Sequence, residues 1–212
     1  MFKKISQRLF LILLLMLLNS SLYAATADNA AKKLQGYLQK MQTLEGSFQQ
    51  LTLDARGQRV QEAQGSMLLA KPGRFYWRTE QPYPQVLVSN GTRLWVYDPD
   101  LEQVTIRNLD ARVTQSPALI LSGEAADLSE NFKISQVTQG ERVVFDLVPI
   151  KEDSLFEVLS LHFIAGRINA LQLEDSLGQK TRVDLSISKF NQPLDNQVFE
   201  FEVPANVDVI QE

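Results

Sequence analysis

The side chains that most often do chemistry are scarce in this chain. One histidine, His162, and no cysteine stand among 212 residues, which excludes the usual zinc-ligand sets and Cys–His nucleophile pairs. His162 lies between Leu161 and Phe163 in an alternating run, which points it to the face opposite those neighbours, at an exposed or rim position. No Gly-x-Ser-x-Gly elbow and no phosphate-cradling glycine loop occurs. The 25 carboxylates fall at turns and on polar faces: Asp98 and Asp100 flank Pro99, and Asp175 precedes Gly178, where Asp side chains cap local backbone N–H groups. A glycosidase-type carboxylate pair has no specific support. The pattern is that of a protein without catalytic residues, metal ligands or a cofactor.

Binding chemistry is better represented. Both tryptophans and four of the five tyrosines lie between Tyr37 and Tyr97. The densest part runs from Lys71-Pro72-Gly73-Arg74-Phe75-Tyr76-Trp77 to Leu94-Trp95-Val96-Tyr97-Asp98. Phe75 and Trp77 share one face of a strand, and Trp95 and Tyr97 share a face of another. Such rings either fill a core or line a cavity. Periodicity alone does not separate the two.

The elements that must position these residues are short. Leu34, Tyr37, Leu38 and Met41 recur at helical spacing opposite Lys32, Lys33, Gln35, Gln39 and Lys40, with Asp28 as N-cap, which predicts one amphipathic helix. From Leu44 the period changes to two. Strands are expected over 46–53, 64–70, 74–79, 86–89, 93–98, 103–107, 132–138, 142–149, 158–165, 168–174, 181–189 and 198–203, separated by turn residues such as Asn90-Gly91 and Ala165-Gly166-Arg167. This spacing argues for one meandering antiparallel sheet that curls or closes. Alternation in Val143/Phe145/Leu147, Leu159/Leu161/Phe163 and Val183/Leu185/Ile187 makes one face strongly apolar. Ser116-Pro117 through Gly123 reads as a short helix, with Ser as N-cap, Pro at the first position and Gly past the end. With the first helix it could cover the apolar face.

The N-terminus reads as an address. Lys3, Lys4 and Arg8 precede an apolar run from Leu9 to Leu18, and small residues follow at Ala24, Ala25 and Ala27. The run is short for a spanning helix, which needs about 20 apolar residues. Residues 1–24 are therefore expected to be a cleaved signal peptide and 25–212 a single domain, with cleavage after Ala27 as the alternative. Without Cys the exported domain has no disulfide framework and no lipidation site. Removing the signal leaves 18 basic against 25 acidic residues, a formal charge of −7. That balance disfavours nucleic acid and anionic membrane as direct partners.

The segments 65–77, 85–103, 116–121, 175–181 and 199–208, together with Phe48-Gln49-Gln50, resemble the periplasmic outer-membrane lipoprotein carrier family, LolA. The resemblance runs in order over 25–212. It implies an incomplete antiparallel β-barrel of about eleven strands under a lid of short helices, mainly β with an α lid. It also implies a monomeric periplasmic chaperone that is not an enzyme and does not insert stably in a membrane. Its partners would be acylated lipoproteins, the inner-membrane transporter LolCDE that releases them, and the outer-membrane receptor LolB.

On this reading Phe48, Phe75, Trp77, Leu87, Trp95, Phe145 and Phe163 are expected in the acyl-chain cavity. Leu34, Tyr37, Leu38, Met41, Leu119, Ile120 and Leu121 are expected in the lid. The family commonly has Arg before the Pro of the strand motif, bonding lid carbonyls; here that position is Lys71, with Arg74 as second candidate. Lys keeps the charge but offers three donors on a flexible stem where Arg offers five in a planar fork. Another periplasmic lipid-binding or sensor protein of the same fold, and an exported hydrolase, are the rival readings.

Overall fold

The structure, a computed structural model, describes residues 29–109, 121–123, 128–151, 154 and 156–212. The expected signal segment, the Asp28 cap, the Ser116-Pro117 helix start, Leu119 and Ile120 lie outside the described residues.

The chain opens with helix α1, residues 29–39. Twelve strands follow: β1 Thr43–Leu53, β2 Arg59–Ala70, β3 Arg74–Gln81, β4 Gln85–Asn90, β5 Arg93–Asp98, β6 Gln103–Asn108, β7 Phe132–Gln139, β8 Arg142–Pro149, β9 Val158–Ile164, β10 Arg167–Glu174, β11 Lys180–Phe190 and β12 Asp208–Gln211. A short helix, α2 Leu128–Asn131, leads into β7. The strand order is β12-β6-β5-β4-β3-β2-β1-β11-β10-β9-β8-β7, with β7 and β12 as unjoined ends. The sheet is thus two meanders, β1 to β6 and β7 to β11, joined where β1 pairs with β11. It is open, as an incomplete barrel requires.

One expected strand is corrected. Residues 198–203 do not pair in the sheet: Asn196–Phe199 is a 3-10 turn capped by Asp195, whose carboxylate accepts from the Gln197 N–H, and an extended stretch follows. The twelfth strand is β12, parallel to β6, from Asp208↔Gln103 to Gln211↔Ile106. Of the alternating Phe199, Phe201 and Val203, Phe199 is buried from within the 3-10 turn, Phe201 is half-buried and Val203 is exposed, so the alternation there reflects packing without ladder bonds.

The two faces of the sheet are unequal. The inner face carries the main core, in which α1 packs on residues from β1 to β3, β5 and β7 to β11. The outer face holds a smaller cluster at one end, where Val88, Trp95 and Val104 are buried with Tyr76, Tyr97 and Phe201 around them. Tyr97 and Phe201 rings meet at 5.5 Å, so the C-terminal stretch is what covers that end.

Candidate functional site

Register sets which side chains share the inner face. Phe48 lies opposite Gly65 on β2 and Leu185 on β11; Trp77 lies opposite Met67 and Leu87; Phe145 lies opposite Leu161 and Gln136. Gly65 is required there because a Cβ would stand 1.8 Å from the Arg78 carbonyl oxygen and 2.9 Å from the Phe48 ring. With Gly65 bare, the Phe48 and Trp77 rings stack across it at 4.2 Å. A second group forms where Tyr37 of α1 meets Phe145 at 5.8 Å and Phe163 at 5.0 Å, while those two rings meet edge to face at 5.7 Å. Phe48, Phe75, Trp77, Phe145 and Phe163 are all buried in the main cluster, and Leu87 packs against it half-buried. The inner face is therefore a continuous apolar and aromatic surface.

In this conformation the helix occupies it. Leu34, Leu38 and Met41 are buried on the sheet and Tyr37 is half-buried. Ala30, one turn before Leu34, extends the same stripe; the i, i+4 spacing was its signal, but alanine carries too little apolar weight to mark a stripe. Burying these side chains stabilises the docked helix by on the order of 6–8 kcal/mol, an upper estimate from apolar area. Leu121, in the second expected lid segment, is buried in the same cluster.

Trp95 is placed elsewhere. It pairs with Val88 in the outer cluster, on the face opposite Phe75 and Trp77, and lines no part of the inner surface. Trp95 and Tyr97 share a face, and at the β3–β6 end the sheet is buried on both sides, so a buried ring there does not mark the inner one.

The helix is held at its C-terminal end by polar groups. Lys71 Nζ donates to the Leu38 carbonyl oxygen at 2.9 Å. That oxygen belongs to the last turn of α1, where it also accepts from the Met41 N–H at 3.2 Å and the helix dipole favours a cation. Arg74 does not reach the helix. Its Nη2 donates to the Lys71 carbonyl at 3.0 Å, and its guanidinium lies 5.7 Å over the Phe199 ring. It thus steadies the loop that presents Lys71.

Gly73, at φ +64, donates its N–H to the Ser122 carbonyl at 2.9 Å, so the Lys71-Pro72-Gly73 loop touches both lid segments. Ser89 supports the loop by donating to the Gly73 carbonyl at 2.8 Å. Asn191 completes the hold: its Nδ2 donates to the Lys40 carbonyl at 2.6 Å and its Oδ1 accepts from the Gln42 N–H at 2.8 Å. Sequence reasoning missed Asn191 because its partners lie about 150 positions away and only the β1–β11 pairing brings them together.

Two polar groups facing the sheet are unusual. Gln136, opposite Phe145 on the inner face, has a buried Oε1 without a hydrogen-bond partner. His162 is on the outer face, as alternation predicts, and half-buried, but its Nε2 is closed off from solvent and unpartnered. Burial first, and Arg182 second, lower its pKa, while Asp146 and Asp184 oppose. Among the described residues no three His, Cys, Asp or Glu stand where they could share a metal ion, and no helix is long and apolar enough to cross a membrane.

An open, curled sheet with an apolar inner face under a tethered helix is what the sequence resemblance implies, and comparison with known proteins decides the family. The sequence model described as outer membrane lipoprotein carrier protein LolA matches residues 39–202. This chain belongs to the LolA family. An outer-membrane lipoprotein carrier protein of Pseudomonas paraeruginosa is 47% identical over 195 residues, covering 92% of this chain and 94% of its own length. That of Azotobacter vinelandii is 47% identical over 206 residues, covering 97% of this chain and all of its own. Among solved structures, an uncharacterized conserved protein of Thermus thermophilus shares the fold at TM-score 0.50 and 13% identity, covering 89% of this chain and 98% of its own. The inner face and the helix over it, with the Lys71 bond to the Leu38 carbonyl, form the candidate functional site.

Proposed function

We propose that this chain carries outer-membrane lipoproteins by sheltering their acyl chains on the inner face of the sheet, in the periplasm. It receives them from the inner-membrane transporter LolCDE and passes them to the receptor LolB. The supporting observation is the amphipathic helix tied by Lys71 over an apolar face whose rings it covers. Moving a buried methylene into water costs about 0.8 kcal/mol, so one chain of about fifteen methylenes costs on the order of 12 kcal/mol. That exceeds the on the order of 6–8 kcal/mol the helix gains by docking. Cargo can therefore displace the helix, and the helix, competing for the same surface, lowers net affinity enough for release.

The inner face is filled while α1 is docked, so Phe48, Phe75, Trp77, Leu87, Phe145 and Phe163 meet cargo only after the helix moves. Leu34, Tyr37, Leu38, Met41 and Leu121 act as the lid. Native mass spectrometry of the protein from a periplasmic extract should show added mass matching a triacylated polypeptide. Protein that stays free of adducts and binds no synthetic triacylated lipopeptide would defeat the carrier reading.

A further inference from the structure

The carrier reading uses only the inner face, yet the outer face at the β7–β11 end holds a built cup of about 470 Å³. Register assembles it: Gln139 lies opposite Arg142, Arg142 opposite Ile164, and Val144 opposite His162. The pairing of β9 with β10 then slips between Ile168 and Ala170, so Asn169 is an extra residue at a bulge and joins the cup wall beside His162. Bulges of this kind re-aim one side chain out of the regular alternation. Arg182 of β11 closes the far side.

The polar groups here are unevenly matched. Both nearby carboxylates are engaged: Asp184 accepts from Arg182 Nε and Nη2, at 3.0 and 2.7 Å, and Asp146 accepts from Ser160 Oγ at 2.6 Å. Arg142 has no ion-pair partner among the described residues. The His162 Nε2 is buried and unpartnered. A chain of formal net charge −4 thus gathers two guanidiniums, one of them paired with Asp184, an amide and an imidazole around one concavity. At the rim, Val137 is 56% and Ile164 38% exposed.

We propose that this cup binds a phosphate group carried on an organic substituent, with Arg142, Asn169 and Arg182 holding the oxyanion beside His162, and Val137 and Ile164 meeting the substituent. Guanidinium forks are suited to phosphate oxygens, and a side-chain amide adds a further donor. A bound phosphate would favour the imidazolium and so oppose the burial that now lowers the His162 pKa. The charged groups facing His162 are Arg142 and Asp146 of β8 and Arg182 and Asp184 of β11; β7 and β10 offer the uncharged Gln139 and Asn169.

Because His162 is the one histidine of the chain, its imidazole signals identify themselves by NMR. The full protein would be titrated at constant ionic strength with glycerol 3-phosphate, then with inorganic phosphate, and separately with short-chain phosphatidylglycerol and phosphatidylcholine. The expected result is a saturable shift of the His162 ring signals with a rise in its titration midpoint. Arg142→Ala should weaken the apparent affinity at least tenfold while leaving the far-UV spectrum unchanged, and Arg142→Lys should retain part of it. A tighter response to glycerol 3-phosphate than to inorganic phosphate would support a free phosphate ester as ligand, and response to phosphatidylglycerol alone would support a lipid headgroup. No saturable change with any probe, a response to inorganic phosphate as tight as to every organic probe, or unaltered titrations in Arg142→Ala would overturn the site. Acyl-chain binding at the inner face is measured independently, so either idea can fail without the other.

Discussion

At the scale of single residues, three polar side chains can be separated by experiment. Lys71→Leu removes the Nζ bond to the Leu38 carbonyl, a charge-assisted contact worth about 1–2 kcal/mol at a half-buried position. The closed form should lose that amount, raising the open population roughly 5- to 30-fold. Lipopeptide affinity should rise by a similar factor and hand-over should slow, because the competing helix is weakened; unchanged uptake and hand-over would remove Lys71 from the mechanism. Gln136 has a buried Oε1 without a partner beside Phe145, so Gln136→Leu should raise stability by about 1 kcal/mol, read from the urea midpoint. His162 holds its proton less tightly in the folded protein than the ordinary 6.5. The unfolded chain therefore binds more protons as pH falls through that value, so this residue contributes stability above it that is lost as pH drops toward the folded pKa. His162→Gln should flatten the stability difference between about pH 5 and about pH 7.5, and equal slopes in both proteins would discount the effect.

At the scale of elements, the inner face depends on close approach between neighbouring strands. Gly65 sits at a register shift between β2 and β3, with the Arg78 carbonyl where its Cβ would be. Gly65→Ala should cost about 3 kcal/mol and disturb the Phe48–Trp77 stack, seen as a lower melting temperature and altered tryptophan emission. An unchanged melting temperature would mean the strands tolerate more separation than this register allows. Helix α1 is attached differently. It has an apolar stripe and polar ties at one end, to Lys71 and Asn191, with no sheet ladder behind it. An element joined this way can leave as a unit while the β1–β2 and β1–β11 ladders persist.

At the scale of the whole molecule, the balance between cargo and lid is an argument about methylenes. Each CH₂ adds about 0.8 kcal/mol, close to fourfold in affinity. Against a docked helix worth on the order of 6–8 kcal/mol, chains shorter than about eight carbons should fail to open the site. A series of monoacylated lipopeptides differing only in acyl length should show affinity rising with length and vanishing near that point. Affinity independent of length would mean that acyl chains are not what the inner face holds. On the proposed function, aromatic rings packed tightly in the closed form belong to a binding surface because the helix is the removable part.

Much of this was legible in the chain itself. Period two, broken by Asn-Gly and Ala-Gly-Arg turns, specified a meandering sheet, and the 3.6 period of Leu34, Tyr37, Leu38 and Met41 specified one helix with a face to bury. Lys71 before Pro72 marked a donor near the lid only through likeness to relatives. What alternation cannot specify is which of two buried faces a ring belongs to, and so Trp95 lies on the outer side, beneath a C-terminal stretch that packs without pairing. Nor can local pattern report contacts across about 150 positions, such as Asn191 fastening the end of α1, or the slip at Asn169 that gathers His162, Arg142 and Arg182 around one cup. Side-chain periodicity is a property of neighbours along the chain, whereas occupancy of a face and convergence of distant donors are decided only when strands far apart in sequence take their register.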